Sequence, residues 1–250
     1  MKEVVFWALN RKVFYFMSVL DVLRLMIVFV FMVVVLGKLI AKLFFKGNPI
    51  TTKFIARTAV FSAISILLYT IPFLKFSLPI FPAFLEIHLD EIPAFMAGFA
   101  YGPLSGFLVI LVKTIVKLPL TGTAGVGELA DFIYSAAFVL PAAFIYKKHR
   151  TLKGALVSLL VATAVQIIVS SFGTTFVMLD MYSILYRLPK PVILNMCKKV
   201  NPAVTDLNFK FLLMVALPFN AMKDGIVVVV TALLYKRLRI LFKKIDAQKN

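Results

Sequence analysis

The chain has 250 residues, of which 62% are hydrophobic and 16% charged, and its mean hydropathy is +0.98. Soluble domains average about 45–50% apolar and about 25% charged residues, so a soluble globular domain and a disordered chain are both excluded, and several membrane spans are expected. Against 11 Asp+Glu stand 28 Lys+Arg, a net charge of +17, while one Cys and two His rule out a disulfide framework and a cysteine-based zinc site and argue against a multi-histidine metal centre.

In chain order, the first apolar run is Val13–Leu36, interrupted by Asp21 and Arg24 and followed by Lys38, Lys42 and Lys46. It lacks the small-residue cleavage site of a signal peptide and reads as an additional N-terminal hydrophobic helix. The next run is Phe54–Phe73. A Pro- and Phe-rich stretch, Pro72 to Pro93, then forbids one regular helix. Ile92–Lys117 follows, and Gly102-Pro103 near its middle predicts two shorter helices joined by a tight turn. Gly125–Tyr146 and Gly154–Phe176, the latter reaching towards Tyr186, come next. A polar segment, Arg187–Asn208, precedes the last run, Phe209–Tyr235. The expected fold is an all-α integral membrane protein with a six-helix core and one extra N-terminal helix. The expected division is 1–50 (extra helix and basic linker), 51–244 (membrane core) and 245–250 (tail). No alternating ten-residue strands support a barrel.

Charge sets the expected topology. Lys38–Arg57, Lys147–Lys153 and Lys236–Lys249 together hold 15 of the 28 Lys/Arg and a single acid, Asp246. With six helices from Phe54, all three segments fall on one side, the cytoplasmic side by the positive-inside rule. Both ends of the core are then cytoplasmic, and nucleic acid is not needed to explain the charge. The loops Phe73–Asp90, Lys117–Glu128 and Asp180–Asn208 lie outside.

Four constellations bear on function. The first outer loop is stiff and aromatic: it reads either as a lid over a flat organic ligand, with Phe81, Phe84 and Leu85 closing on it, or as a well-packed connection. Within it Glu86, His88 and Asp90 alternate on one side of an extended segment, and solvated polar residues are a better reading than metal ligands. Glu128 and Asp131, three apart after the glycine-rich Thr121–Gly127, share the first turn of a helix, either as caps or as ligand contacts. Asn220, Lys223 and Asp224 share a face inside the last run. Ionisable groups in a span face an interior or a wet cavity, and Asn matches an imide-like edge; the structural alternative is a Lys223–Asp224 or Lys223–Glu128 pair. Ala59 and Ala63, with Ser62 between them, place small residues on one helix face, which permits close helix approach. No Walker A sequence is present.

Taken together, Asp90-Glu91-Ile92-Pro93-Ala94, Gly98–Gly106, Leu111-Val112-Lys113, Thr121–Phe132 and Leu217–Lys223 resemble the substrate-binding S component of energy-coupling factor (ECF) vitamin transporters, most closely the riboflavin-specific one. The likeness runs from about Lys53 to Lys244. It implies a non-enzymatic subunit of an ATP-driven importer that captures riboflavin at the outer face as cargo, with no cofactor. Its partners would be a transmembrane coupling subunit, two ATPase subunits and the lipid bilayer. It also implies Asn220 and Lys223 as ligand contacts and Ala59 and Ala63 as the face towards the coupling subunit. The chain departs from the family at Asp131, where Asn is frequent, at Lys113-Thr114 in place of Lys-Asn, and at Thr174-Thr175-Phe176 in place of Asn-Tyr-Phe; Thr174 keeps a hydrogen-bonding group there. Two alternatives stay open. One is the same fold binding FMN or another vitamin, with Lys75, Lys117 and Lys190 facing a phosphate. The other is a membrane enzyme using His88, Glu128 or Asp131 as acid and base.

Overall fold

The structure is a computed structural model that describes residues 51–120, 125–185 and 189–247. The expected helix at Val13–Leu36 and residues 248–250 of the expected tail lie outside the described residues. Seven helical rods form the described core: α1 (Thr52–Thr70), α2 (Glu91–Tyr101), α3 (Pro103–Lys117), α4 (Val126–Lys148), α5 (Leu152–Leu185), α6 (Lys190–Val200) and α7, which runs through Phe209–Phe211, Leu212–Ala216 and Leu217–Ala247. Among the described residues no β-strand forms; one isolated antiparallel bridge joins Phe76 and Ile87.

Local chemistry sets the boundaries. The Thr51 side chain accepts from the Phe54 N–H at 3.2 Å and opens α1, and Thr151 does the same for α5 through the Gly154 N–H at 2.9 Å. Pro72 ends α1 by holding Ile71 in an extended conformation. Gly102 takes φ +101°, a left-handed conformation open to glycine, and Pro103 starts α3 at a position where no N–H is needed. Two wide π turns interrupt long helices, Thr174–Met178 in α5 and Leu212–Ala216 in α7. The second lies just before Pro218, which has no N–H to give to the preceding turn.

The expected break at Gly102-Pro103 is present, and α2 and α3 form a tight antiparallel hairpin. Among the described residues five helices are long and apolar enough to cross a membrane: α1, α3 with its 3₁₀ extension to Leu120, α4, α5 and α7. The other expected core helix, α2, has 11 residues and reaches only about 16 Å. It is enclosed by its neighbours, with every residue from Glu91 to Ala100 buried. Its shortness is offset by the loop 71–90, which enters the bundle before α2 begins. The polar segment after α5, expected to be irregular, contains the amphipathic helix α6, whose Ile193 and Cys197 are buried while Lys198 and Lys199 are exposed.

The two ends of the bundle differ. At one, Phe99 packs against Tyr146 and Tyr235 (centroids 4.5 and 5.9 Å), and the two tyrosine hydroxyls hydrogen-bond at 2.8 Å. Arg57 covers the Tyr101 ring at 5.4 Å, and Thr58 bonds Ser105 at 2.8 Å. The basic residues Arg57, Lys147, Lys148 and Lys236 cluster at this end, as the charge pattern predicts. At the other end, a second apolar cluster joins the loop (Leu85, Ile87) to α5, α6 and α7 (Leu179, Ile193, Phe219).

The hairpin depends on close approach. A Cβ at Gly106 would lie 3.1 Å from both the Ala94 carbonyl oxygen and Val139, and 3.2 Å from the Gly98 Cα. Gly106→Val should therefore overpack this junction and lower stability by about 1–3 kcal/mol, read as a depressed thermal midpoint of the purified protein. An unchanged midpoint would show that the helices can separate freely here.

Candidate substrate-binding site

A cavity of about 490 Å³ opens at the end opposite the aromatic cluster. That is within the range of about 300–1,000 Å³ usual for small-molecule sites. Its apolar walls include Phe84 and Leu85 from the loop, Met178 from the π turn of α5, and Phe219 from α7. Polar groups line it on three helices: Glu128, Asp131 and Tyr134 on α4, Thr174 on α5, and Asn220 and Lys223 on α7.

Every residue expected at the site lines this cavity except Phe81. Phe81 sits one layer back, edge-on to the Phe219 ring at 5.3 Å. Thr174 opens the π turn of α5, whose altered pitch re-aims the side chains of that stretch. The Asn220 amide nitrogen donates to the Ser171 Oγ (3.0 Å) and to the Ala216 carbonyl (2.9 Å). Both bonds engage the amide nitrogen, and Asn220 lines the cavity. Lys75 and Lys117 flank the mouth, with their ammonium groups 4.9 and 5.7 Å from the Tyr69 ring centroid. Lys190 instead pairs with Asp180 at 2.8 Å and does not line the cavity.

Below the cavity lies a buried charged network. The Lys113 ammonium is fully buried, donates to the Asp90 carboxylate and the Ser135 hydroxyl (3.0 Å), and forms an ion pair with Asp131 at 3.0 Å. Lys223 donates to Glu91 Oε1 at 3.1 Å. His88 Nδ1 pairs with Asp90, and the ring reaches Glu91 and Asp131 at 3.7 Å each. The Asp90 backbone carbonyl accepts from the Ser65 hydroxyl at 2.6 Å.

This network corrects one expectation and changes the partner in one structural alternative. His88 and Asp90 are not solvated loop residues: their side chains are 12% and 0% exposed, and only Glu86 faces outward, at 54%, 3.8 Å from Lys75. The partner of Lys223 is Glu91, not Asp224 or Glu128. Glu91 and the buried role of Lys113 were not read from the sequence, because their partners lie far away in the chain; an acid beside a helix-opening Ile-Pro, and a lone Lys inside an apolar run, were the signals. His88, Glu91 and Asp131 come close enough to one another to hold a metal ion. Lys113 and Lys223 already neutralise two of these carboxylates at 3.0–3.1 Å, so a divalent cation would have to displace both.

A family model described as "ECF transporter, substrate-specific component" matches residues 53–235. The chain belongs to this family. It is 31% identical over 190 residues to the riboflavin transporter RibU of Staphylococcus aureus, covering 76% of this chain and 93% of that protein. It is also 31% identical over 189 residues to the riboflavin transporter FmnP of Bacillus subtilis, covering 74% and 93%. A solved S component of a bacterial ECF transporter superposes with a TM-score of 0.59 at 30% identity, covering 76% of this chain and 98% of that one. The chain is therefore a multi-pass membrane transport subunit. The enzyme alternative built on His88, Glu128 and Asp131 is overturned: the family binds and carries substrate, and here His88 and Asp131 are engaged in ion pairs.

Burial and the Lys223 ammonium both disfavour charge on His88, but Asp90 and Glu91 outweigh them and push its pKa from 6.5 up to about 9. A pKa raised on folding adds stability that is complete below the unfolded value and is lost as pH rises through the folded one. The thermal midpoint should accordingly fall as pH rises from 6.5 towards 9, and His88→Gln should flatten this dependence. Equal slopes in the two proteins would remove His88 as the titrating group.

Proposed function

We propose that this S component binds riboflavin in the cavity beneath loop 71–90 and delivers it to an ECF module containing a transmembrane coupling subunit and two ATPase subunits. The observation that carries the reading is a cavity with apolar walls, among them Phe84, Leu85, Met178 and Phe219, and polar groups that include Asn220 and Lys223. A flavin ring system is flat and largely apolar with one polar pyrimidine edge, which suits this division. Its imide N–H would meet the Asn220 carbonyl oxygen, and a ring carbonyl would accept from Lys223. Two relatives of about 31% identity that carry riboflavin support the same ligand. The basic end of the bundle, by the positive-inside rule, faces the cytoplasm, so the cavity faces outward and both ends of the core are cytoplasmic.

Ala59 and Ala63 are exposed on α1, while Thr58, Ser62 and Ser65 of the same helix face the bundle. Exposed alanines one turn apart allow a partner helix close approach, which supports this face as the contact with the coupling subunit.

Two measurements test the reading. Purified protein should show the visible absorption of a bound flavin, and Asn220→Ala should weaken riboflavin binding by about 1–3 kcal/mol, as expected when a buried ligand donor loses its acceptor. Unaltered titrations with Asn220→Ala and Lys223→Met would move the ligand elsewhere. Separately, Ala59→Trp or Ala63→Trp should leave riboflavin binding by the isolated subunit intact while abolishing co-purification with the coupling subunit. Full transport by those variants would reassign the interface.

A further inference from the structure

The loop over the cavity has two faces of different chemistry. Leu78, Phe81 and Phe84 pack inward on the apolar cluster of α5, α6 and α7. The outward face is equally apolar yet uncovered: Phe73 is 92% exposed, Ile80 66% and Phe76 43%. Between Ile71 and Leu85 a single residue is charged, Lys75. Its side chain is turned inward, 17% exposed, onto Tyr69 and towards Glu86. A loop tip surrounded by water would carry the opposite arrangement, with charge outside and aromatic rings inside.

The exposed face also continues a surface whose neighbour is fixed by composition. On the spanning helix α1, Val60, Ile64 and Leu67 are exposed at spacings of four and three, a stripe along one side, and Ile71 just beyond the helix end is exposed as well. On a membrane-spanning helix such a stripe faces lipid, and it leads through Ile71 directly into Phe73.

The loop backbone is partly paired within itself, while the N–H groups of Ser77, Leu78 and Ile80 have no backbone partner among the described residues, which suits the hydrated headgroup boundary and not the hydrocarbon centre. Irregular backbone cannot enter hydrocarbon with its N–H groups unpaired. Here Pro72, Pro79 and Pro82 carry none. Leu74, Lys75, Phe81 and Leu85 donate to Ile71, Pro72, Leu78 and Pro82, and Phe76 and Ile87 exchange a pair. Aromatic side chains on such a segment favour the boundary between headgroups and acyl chains.

We propose that the outward face of loop 71–87, through Phe73, Phe76 and Ile80, is seated in the lipid leaflet at the cavity end of the bundle, so that the cover of the site is held by the bilayer. The occupant of this face is lipid, and the proposal does not depend on which small molecule the cavity takes.

The test uses the full chain in phosphatidylcholine nanodiscs with no ligand added. The chain's single tryptophan is replaced, Trp7→Phe, and Phe73→Trp is introduced; Ile80→Trp in the same background is a second reporter if the first does not fold. The new tryptophan should lose most of its emission when the acyl chains are brominated near the carbonyls, and little when iodide is added to the water. Strong iodide quenching with no effect of bromine would place the face in water and overturn the proposal. Protection from both quenchers would mean that polypeptide covers it, and would overturn the proposal equally.

Discussion

A fully buried ammonium group needs carboxylates, and Lys113 obtains them from two different parts of the chain. Asp90 ends the loop and Asp131 lies on α4, so satisfying one charge draws the loop, α3 and α4 together. Glu91 performs the same service for Lys223 and brings in α7. Removing either cation would leave buried carboxylates without compensation, which costs about 3–5 kcal/mol. The cavity floor is thus set by charge balance and the walls by apolar packing. The early entry of the loop into the bundle follows from the same requirement, since Asp90 must reach Lys113 before α2 can start.

The bundle divides its work between its two ends. The basic end is closed by three packed rings, Tyr235 standing edge-on to both Phe99 and Tyr146, and the two tyrosine hydroxyls bond each other. The opposite end is loosened by two π turns, one in α5 and one in α7. The first supplies Thr174 and Met178 to the cavity; the second directly precedes Phe219 and Asn220. Altered pitch at these two places is how long apolar helices turn small and polar side chains towards a common space.

Much of this architecture was legible in the sequence, for identifiable reasons. Gly102-Pro103 has one compact solution, a left-handed glycine followed by a helix-opening proline, and the hairpin formed there. The apolar runs fixed α1, α4, α5 and α7 because length and hydropathy suffice for spanning helices. Helix α6 was hidden by its low hydropathy, although Pro191 in its first turn and the spacing Ile193, Cys197, Val200 carried a helical signal. Asn220 and Lys223 stood out because polarity inside a span demands a reason. Their partners did not, because a pairing such as Glu91 with Lys223 joins residues far apart in sequence and no local pattern encodes it. His88 and Asp90 were misplaced for a related reason: alternation in a loop says which side a residue is on, and only the fold says which side is wet.

The isolated bridge between Phe76 and Ile87 has a mechanical meaning. It closes the ten residues from Ser77 to Glu86 into a flap with a fixed hinge, outside which Asp90 and its salt bridges are undisturbed. Half of that flap, fully extended, spans about 17 Å, an upper bound on how far its tip can lie from the hinge. The bridge therefore divides one stretch of chain into two parts held by different forces: Leu78, Phe81, Phe84 and Leu85 of the flap by apolar packing on the bundle, and Asp90 beyond it by buried ion pairs.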